Sequence, residues 1–428
     1  MRKFLGALAA AAGLGSCAAS PAFAQPQRVT LAQAVAIAAA QSPVLQAARD
    51  DYRIAQLNVD FERTPLAPNV AGVLTVQRSQ TAFGGTSSST DLRGELQQLV
   101  FDGGRVLARI RSAQFSQDAA AGTYRRSAQL LTFTVAQAYY GALEACATVQ
   151  LARQIVKQDQ TQEALIRAQI QAGTASRLDQ ATAHLPTAQA LVQLALAQGQ
   201  ESATQATFDN VLGLRADAGA EPVDDPAAGA ANSLIPQGTL DVATAIARAL
   251  ALRPDYIAGE RTIDAARESL RAARLGRSPQ ISGNAALGAT SGFAVGNGLN
   301  GVSTIGATVS IPIFDHGITR VQSAQAAVQL DCARAVARQN ELAVELQVRQ
   351  ALATLISART ALTEAQAELS GAQTVLAGTQ EQYRAGVTTL PLLLNAQAGL
   401  TLAENDRLSA IYALRRAEQS YLFALGDI

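Results

Sequence analysis

Tryptophan is absent from this chain of 428 residues, methionine occurs once, and only 4% of the residues are aromatic. Interdigitating rings supply much of the buried area of a compact globular core, so a core of that kind is hard to build here. Long helices packed through small side chains suit the composition better. Histidine is nearly absent, at positions 184 and 316, and the three cysteines show no paired metal-ligand spacing. A zinc site has almost nothing from which to be assembled. Charge of one sign is not in excess either, since 34 basic side chains face 34 acidic ones. Binding to nucleic acid needs clustered Lys and Arg to neutralise phosphates, so no nucleic-acid partner is expected. After the first two dozen residues there is no long uncharged apolar run, and no transmembrane helix is expected. Any membrane crossing would have to be made by a closed β-barrel.

At the N-terminus, Arg2 and Lys3 precede an apolar run from Phe4 to Gly15, and Ala22-Phe23-Ala24 supplies a small-x-small ending. This reads as a secretory signal over 1–24, cleaved after Ala24. Leu14-Gly15-Ser16-Cys17 also resembles a lipobox, in which Cys17 would become the lipidated first residue. Cys146 and Cys332 lie far apart inside helical patterns. Both are expected to be small buried apolar side chains.

The most informative feature is internal duplication. Pro43 and Pro254 are 211 residues apart, as are Pro68 and Pro279. Beyond them the spacing becomes 213: Phe101-Asp102-Gly103-Gly104 matches Phe314-Asp315-His316-Gly317, Ala172-Gly173 matches Ala385-Gly386, and Leu212-Gly213 matches Leu425-Gly426. The chain divides into a first repeat over 25–214, a linker over 215–238 rich in Ala, Gly, Pro and Asp, and a second repeat over 239–428.

Each repeat changes its apolar period along its length. Residues 30–63 and 239–276 have helical spacing that passes through Ser42-Pro43 and Arg253-Pro254. Alternation follows: Val70, Gly72, Leu74 and Val76 share one side, and Ile305, Ala307, Val309 and Ile311 share another. Two hairpins are expected, with loops at Gly84 to Ser89 and Gly288 to Ser303. After Phe101-Asp102 and Phe314-Asp315, about 68 residues without proline predict helices of ~100 Å. Leu355, Leu362, Leu369 and Leu376 recur every seven residues, with Leu352, Ala365 and Ala372 completing a coiled-coil seam. Gly173 and Gly386 turn each rod back into a second helix, over 176–213 and 389–425, with Ser176 and Thr389 as N-caps. The fold class is mainly α with β: duplicated long helical hairpins plus four strands. Four strands cannot close a membrane barrel, so several copies must combine into a tube.

The duplicated order of elements, the Pro43 and Pro254 segments, the Phe-Asp-x-Gly junctions, the tip segment Tyr383-Arg-Ala-Gly386 and the Leu425-Gly426 ending together resemble the TolC-like outer-membrane efflux proteins. The resemblance covers Thr30 to Gly426. It implies a homotrimer with a 12-stranded transmembrane β-barrel in outer-membrane lipid and a 12-helix periplasmic α-barrel. It also implies docking of a periplasmic adaptor (membrane fusion) protein and an inner-membrane transporter at the helical tips.

Ala172, Gly173, Thr174, Ala385, Gly386 and Val387 are the small-residue tips where such an adaptor would meet the chain. In the family a Tyr three residues before the second tip glycine bonds an Asp six residues after the first. Those positions are Tyr383 and Asp179, and the resemblance implies a hydrogen bond that holds the entrance shut. The chain departs from the family pattern nearby: Leu392 and Asn395 stand where lumen-facing acidic residues are found, and Thr388 replaces an Arg. A constriction at Leu392 or Leu393 is the alternative to an acidic ring. Asp102 and Asp315 are expected to be caps, His316 a junction residue and His184 a helix-surface residue. The glycine-rich run from Gly288 to Gly301 lacks the Gly-Lys-Ser/Thr ending of a phosphate loop. No catalytic constellation or cofactor site emerges. The reading is a passive exit duct in the outer membrane of a Gram-negative bacterium, serving a tripartite efflux or type I secretion system. A soluble periplasmic coiled-coil scaffold or adaptor is the alternative, which two alternating hairpins disfavour.

Overall fold

The computed structural model describes residues 28–80, 86–215, 219–223, 241–292 and 300–428. The expected signal over 1–24, including Cys17, lies outside them. In chain order the elements are β1 (Arg28–Val29), α1 (Leu31–Gln41), α2 (Pro43–Arg63), β2 (Asn69–Gln80), β3 (Thr86–Phe101), α3 (Arg105–Gln171), α4 (Arg177–Val211), β4 (Glu221–Pro222), α5 (Val242–Leu252), α6 (Pro254–Arg274), β5 (Gln280–Gly292), β6 (Asn300–Ser310), α7 (Ile318–Arg384) and α8 (Leu390–Leu425).

The helix expected through Pro43, and its counterpart through Pro254, are each two helices. A residue before proline is pushed out of the α region by the ring, and Ser42 and Arg253 adopt extended conformations with ψ of 117° and 120°. Proline then occupies the first position of the new helix, where its missing N–H costs nothing. The Ser42 hydroxyl accepts from the Leu45 N–H at 3.3 Å. The first pair bends by 54°. Apolar spacing is blind to such a break, because the pattern resumes on the far side.

α3 and α7 are each 67 residues long, or ~100 Å. Each long helix is flanked along its length by two shorter ones, α3 by α2 and α4, α7 by α6 and α8, while α3 also lies beside α6 and α8. The predicted seam is the core of the second hairpin. Leu352, Leu355, Leu362, Ala365 and Leu376 are buried, with Leu369 and Ala372 half-buried, and part of this row packs against Ala410, Leu414, Ala417 and Tyr421 of α8. A second cluster joins Val135, Tyr139 and Leu143 of α3 to Phe208 and Leu212 and to Ala34 and Ala38 of α1. Cys146 is half-buried and Cys332 exposed, rather than both buried. Cys332 falls on the outward side of α7, which periodicity around one cysteine does not reveal.

Within the expected linker, Glu221–Pro222 pairs in parallel with Arg28–Val29. Three contacts anchor it: the Asp209 carboxylate accepts from the Ala220 N–H at 3.2 Å, Val223 N–H donates to the Val29 carbonyl at 3.2 Å, and the Tyr139 hydroxyl donates to the Val223 carbonyl. A two-residue strand has no pattern of its own and exists only through these partners.

The four long strands form one antiparallel sheet in the order β2-β3-β5-β6. Register carries the alternation across it: Val70 faces Leu96, Leu96 faces Ala285, and Ala285 faces Ile305. One side therefore presents Val70, Leu74, Val76, Leu92, Leu96, Leu287, Ile305 and Val309, all exposed. The other presents Gln77, Arg93, Glu95, Gln97, Asn284, Thr304 and Thr308. The strands reach further than expected. Residues 288–292 and 300–303 belong to β5 and β6 rather than to a loop, and Thr86 to Ser89 belong to β3; Ile311 lies just past β6. At Gly288 a Cβ would lie 2.2 Å from the Leu92 carbonyl oxygen, so glycine there permits close pairing rather than a turn.

Where strand becomes helix, each Phe-Asp-x-Gly motif is a cap. The Asp102 carboxylate accepts from the N–H groups of Gly104 at 3.0 Å and Val106 at 2.6 Å, and Asp315 from Gly317 and Thr319, both at 3.1 Å. Arg277 adds a bond to Asp315 at 2.8 Å and, with the Thr319 bonds, holds that carboxyl below the usual carboxylate range. His316, the junction residue, has a φ of 48°.

Gly122 of α3 sets the approach to α6: a Cβ there would lie 2.7 Å from the Pro254 carbonyl oxygen and 2.9 Å from the Ala258 Cβ. Gly122→Ala should destabilise the protein by about 1–3 kcal/mol through forced separation of the helices. Gly141→Ala, where nothing lies within 4 Å, should instead stabilise by up to about 1 kcal/mol through helix propensity. Thermal unfolding in detergent checks the opposite signs.

Candidate functional site

At the far ends of the hairpins, α3 and α7 stop at glycines of positive φ, 76° at Gly173 and 72° at Gly386. The Gly173 N–H donates to the Ile170 carbonyl at 3.0 Å and the Thr174 N–H to the Gln169 carbonyl at 2.9 Å; Gly386 and Val387 do the same to Tyr383 and Gln382. These paired bonds satisfy the last carbonyls of each helix. Nothing crowds either glycine, so the left-handed conformation, not space, is what requires it. Ala172, Gly173, Thr174, Ala385, Gly386 and Val387 are all exposed.

The return helices start differently. Ser176 and Asp179 form a reciprocal capping box: the Ser176 hydroxyl oxygen accepts from the Asp179 N–H at 3.2 Å, and the Asp179 carboxylate accepts from the Ser176 N–H and hydroxyl, both at 2.8 Å. These bonds hold the Asp179 carboxyl below its ordinary range. Thr389, expected as the matching cap, uses only its carbonyl, which accepts from Leu392 and Leu393 at 3.2 and 3.3 Å; its hydroxyl caps nothing. Pro391 lies in this first turn, where it is tolerated.

Tyr383 packs among Ile166, Ala183, Leu390, Ile170 and Leu394, so the structure brings it into the same layer as the start of α4. Burial and then the Asp179 charge push its phenol up. Among the described residues no hydrogen bond joins Tyr383 to Asp179, whose Oδ2 accepts both Ser176 bonds. Of the two leucines considered for a constriction, Leu393 is buried and packs the hairpin, while Leu392 is half exposed. His184 is an exposed surface residue, its Nδ1 3.3 Å from the Glu163 carboxylate that also takes Arg167 at 2.8 Å.

Sequence reasoning missed a groove above the tips, about 1130 Å3, between α4 and α8 with α3 as its floor. Leu185, Leu196, Leu394 and Leu402 alternate in it with Gln189, Gln193, Asn395 and Asn405. Asp159, at its floor, is pushed up by burial. Asn395 is thus placed in a wall of mixed polarity, away from the tip glycines. Leucines on the polar side of α4 were the available signal, obscured because that helix has little contrast between its sides.

Long hairpins with exposed glycine tips, set beneath a sheet that is apolar on one side and polar on the other, define the protomer of an envelope-spanning channel. The family model described as outer membrane efflux protein matches residues 34–214 and 245–427. The chain belongs to that family, and its place is the outer membrane. It is 26% identical over 398 residues to the outer membrane efflux protein BepC of Brucella suis biovar 1, covering 91% of this chain and 85% of that one. Among solved structures, a membrane protein from Pseudomonas aeruginosa matches with a TM-score of 0.80 at 23% identity, over 92% of this chain and 93% of the other. The Campylobacter jejuni CmeC outer membrane channel matches with a TM-score of 0.79 at 16% identity, over 93% of this chain and 85% of its own.

A group whose folded pKa is lowered stabilises above its unfolded value and loses that effect as pH falls through the folded one. Protection of the amides of residues 177–180 should therefore hold from neutral pH down to about 4 and fall below it. Ser176→Ala should speed their hydrogen exchange about fivefold, the scale of a lost cap. Exchange of these amides followed by mass spectrometry across pH tests both.

Proposed function

We propose that three copies of the chain assemble side by side into one continuous duct, with the sheet in the outer membrane and the helices in the periplasm. The observation that carries this reading is the two-sided sheet: its apolar side suits hydrocarbon, its polar side suits water, and the outer edges of β2 and β6 have no partner strand among the described residues. Eight strands from two copies would leave an interior filled by side chains, which suits poorly a side carrying Gln77, Arg93, Glu95 and Gln97. Twelve strands from three copies give a wider, wet lumen, in keeping with the resemblance to TolC-like proteins.

Solutes pass through without chemical change. The exposed tips, with their small side chains, take the hairpin of a periplasmic adaptor, and through it an inner-membrane transporter that supplies the energy. Asp179 and Tyr383 bias the entrance toward closure, Tyr383 competing with Ser176 for the carboxylate as the hairpins rotate. Leu392 and Asn395 replace acidic groups in this region, so the entrance is less attractive to cations than an acidic ring would be. The chain's relative is named an outer membrane efflux protein, and a structural neighbour an outer membrane channel.

Purified protein in detergent should have the mass of three chains by light scattering and should form discrete conductance steps in planar bilayers. A monomer soluble without detergent would instead support a periplasmic scaffold. Tyr383→Phe and Asp179→Asn should each raise open-state occupancy; unchanged single-channel records in both would remove the pair from the gate.

A further inference from the structure

Just below the sheet, α2, α3, α6 and α7 surround a cavity of about 560 Å3. α3 contributes Arg105 and Arg109 to it, four residues apart and so on one side of the helix. The Arg105 Nε is buried without a hydrogen-bond partner. A buried donor left unpaired is uncommon and calls for a reason. Glu62 also lines the cavity, but it forms no ion pair with either arginine. The nearby Asp102 carboxylate is taken by the Gly104 and Val106 N–H groups.

The duplication provides an internal control. Positions 105 and 109 correspond, 213 residues on, to Ile318 and Gln322 at the start of α7. The same aspartate-capped junction is built there with no cation at those two helix positions, the Arg277 bonded to Asp315 coming instead from the segment before β5. Arginine at 105 and 109 is therefore not a requirement of the fold.

A smaller cavity of about 110 Å3 shares Arg105 and Gly276 with the larger one and reaches Gln280 and Ser310. Those two residues face each other across β5 and β6, in register with the polar side of the sheet. Arg105 thus opens toward the side that becomes the lumen in the proposed assembly, with Arg109 beside it in the larger cavity. Phe61, exposed at 67%, supplies an aromatic wall to the larger cavity.

We propose that Arg105 and Arg109 form an anion-binding site in the wall of the duct, one per protomer. It takes the carboxylate, sulfonate or phosphate of an organic anion whose apolar body lies against Phe61. Guanidinium groups present forked donors suited to these oxygens, and such charge-assisted bonds are stronger than neutral ones. Threefold repetition would place six such cations around the lumen just below the barrel. The lumenal placement rests on the duct reading above; the binding chemistry does not.

The test uses full-length protein and 1-naphthalenesulfonate, with uncharged 1-naphthalenemethanol as its counterpart. In planar bilayers the sulfonate should block current at about a tenfold lower concentration than the alcohol, the scale of one charge-assisted hydrogen bond. Arg105→Gln/Arg109→Gln should erase the difference, and Arg111→Gln, which lines neither cavity, should keep it. Arg109→Gln alone, at an exposed position, serves if the double variant folds poorly. A difference that survives the double variant, or is lost equally in Arg111→Gln, overturns the proposal. Calorimetric titration of the sulfonate into the detergent-solubilised protein separates the two readings. Equal affinity in wild type and the Arg105→Gln/Arg109→Gln variant overturns the site, whereas binding lost in that variant of a protein that conducts nothing overturns the duct and leaves the site standing.

Discussion

Among the described residues, the backbone N–H and C=O groups along the outer edges of β2 and β6 have no strand to pair with inside one copy. In water that deficit is minor, but in hydrocarbon each unpaired group costs several kcal/mol. The rest of the architecture follows from it. In the proposed assembly the twelve residues of β2 and eleven of β6 would be satisfied by another edge of the same kind, which would close the copies into a ring. The ring then fixes how the helices below must stand, because each strand leads through a short junction into or out of a helix. The aspartate caps make those junctions stiff, so the direction set by the sheet is passed down rods of ~100 Å.

Those rods meet a second constraint, the distance of closest approach between helices. The chain contains few aromatic side chains and many alanines, and where two helices come nearest even alanine is excluded, as at Gly122 against Pro254 and Ala258. In the proposed assembly, small side chains would let the long helices of each copy form a thin wall instead of a thick bundle. The same thinness leaves many leucines and valines exposed on the isolated chain, Leu107, Leu196, Val321 and Val328 among them. Exposure on that scale in one copy is what a wall element shows when its neighbours are absent.

Much of this was legible in the sequence, for reasons that can be named. The long helices could be read because proline is missing from 67 residues at a stretch, and their ends because only glycine takes a left-handed conformation without strain. Asp102 and Asp315 could be read because a carboxylate two to four residues before free N–H groups has one obvious use. Other features were hidden because they arise from pairing across the chain. The ends of β5 and β6 run through Gly- and Ser-rich sequence that has no strand propensity of its own, and only register with a neighbour, β3 for β5 and β5 for β6, keeps it extended. Glu221–Pro222 is a strand because Asp209, Tyr139 and Val29 hold it there. Ser176 was readable as a cap, but Asp179 as the other half of its box was not, since the resemblance had already given that carboxylate to Tyr383. The two arginines at the start of α3 form no motif in the sequence, and only the cavity gives them a common direction.

The two repeats, compared position by position, separate what the fold needs from what the function adds. Where both carry the same residue or the same chemistry, at the aspartate caps, the tip glycines and the proline at each helix break, the shared feature answers a demand of backbone geometry. Where they differ, geometry has been met without the difference. Asp179 has no acidic counterpart in the first turn of α8, and Arg105 and Arg109 have only Ile318 and Gln322. A duplicated chain that joins its copies in a ring alternates these unlike halves around one axis. Charge placed in the first repeat alone is then distributed as three separate positions instead of six crowded ones. Fewer like charges facing each other across a narrow lumen repel less, which is a physical reason for such groups to be confined to one half while the scaffold is common to both.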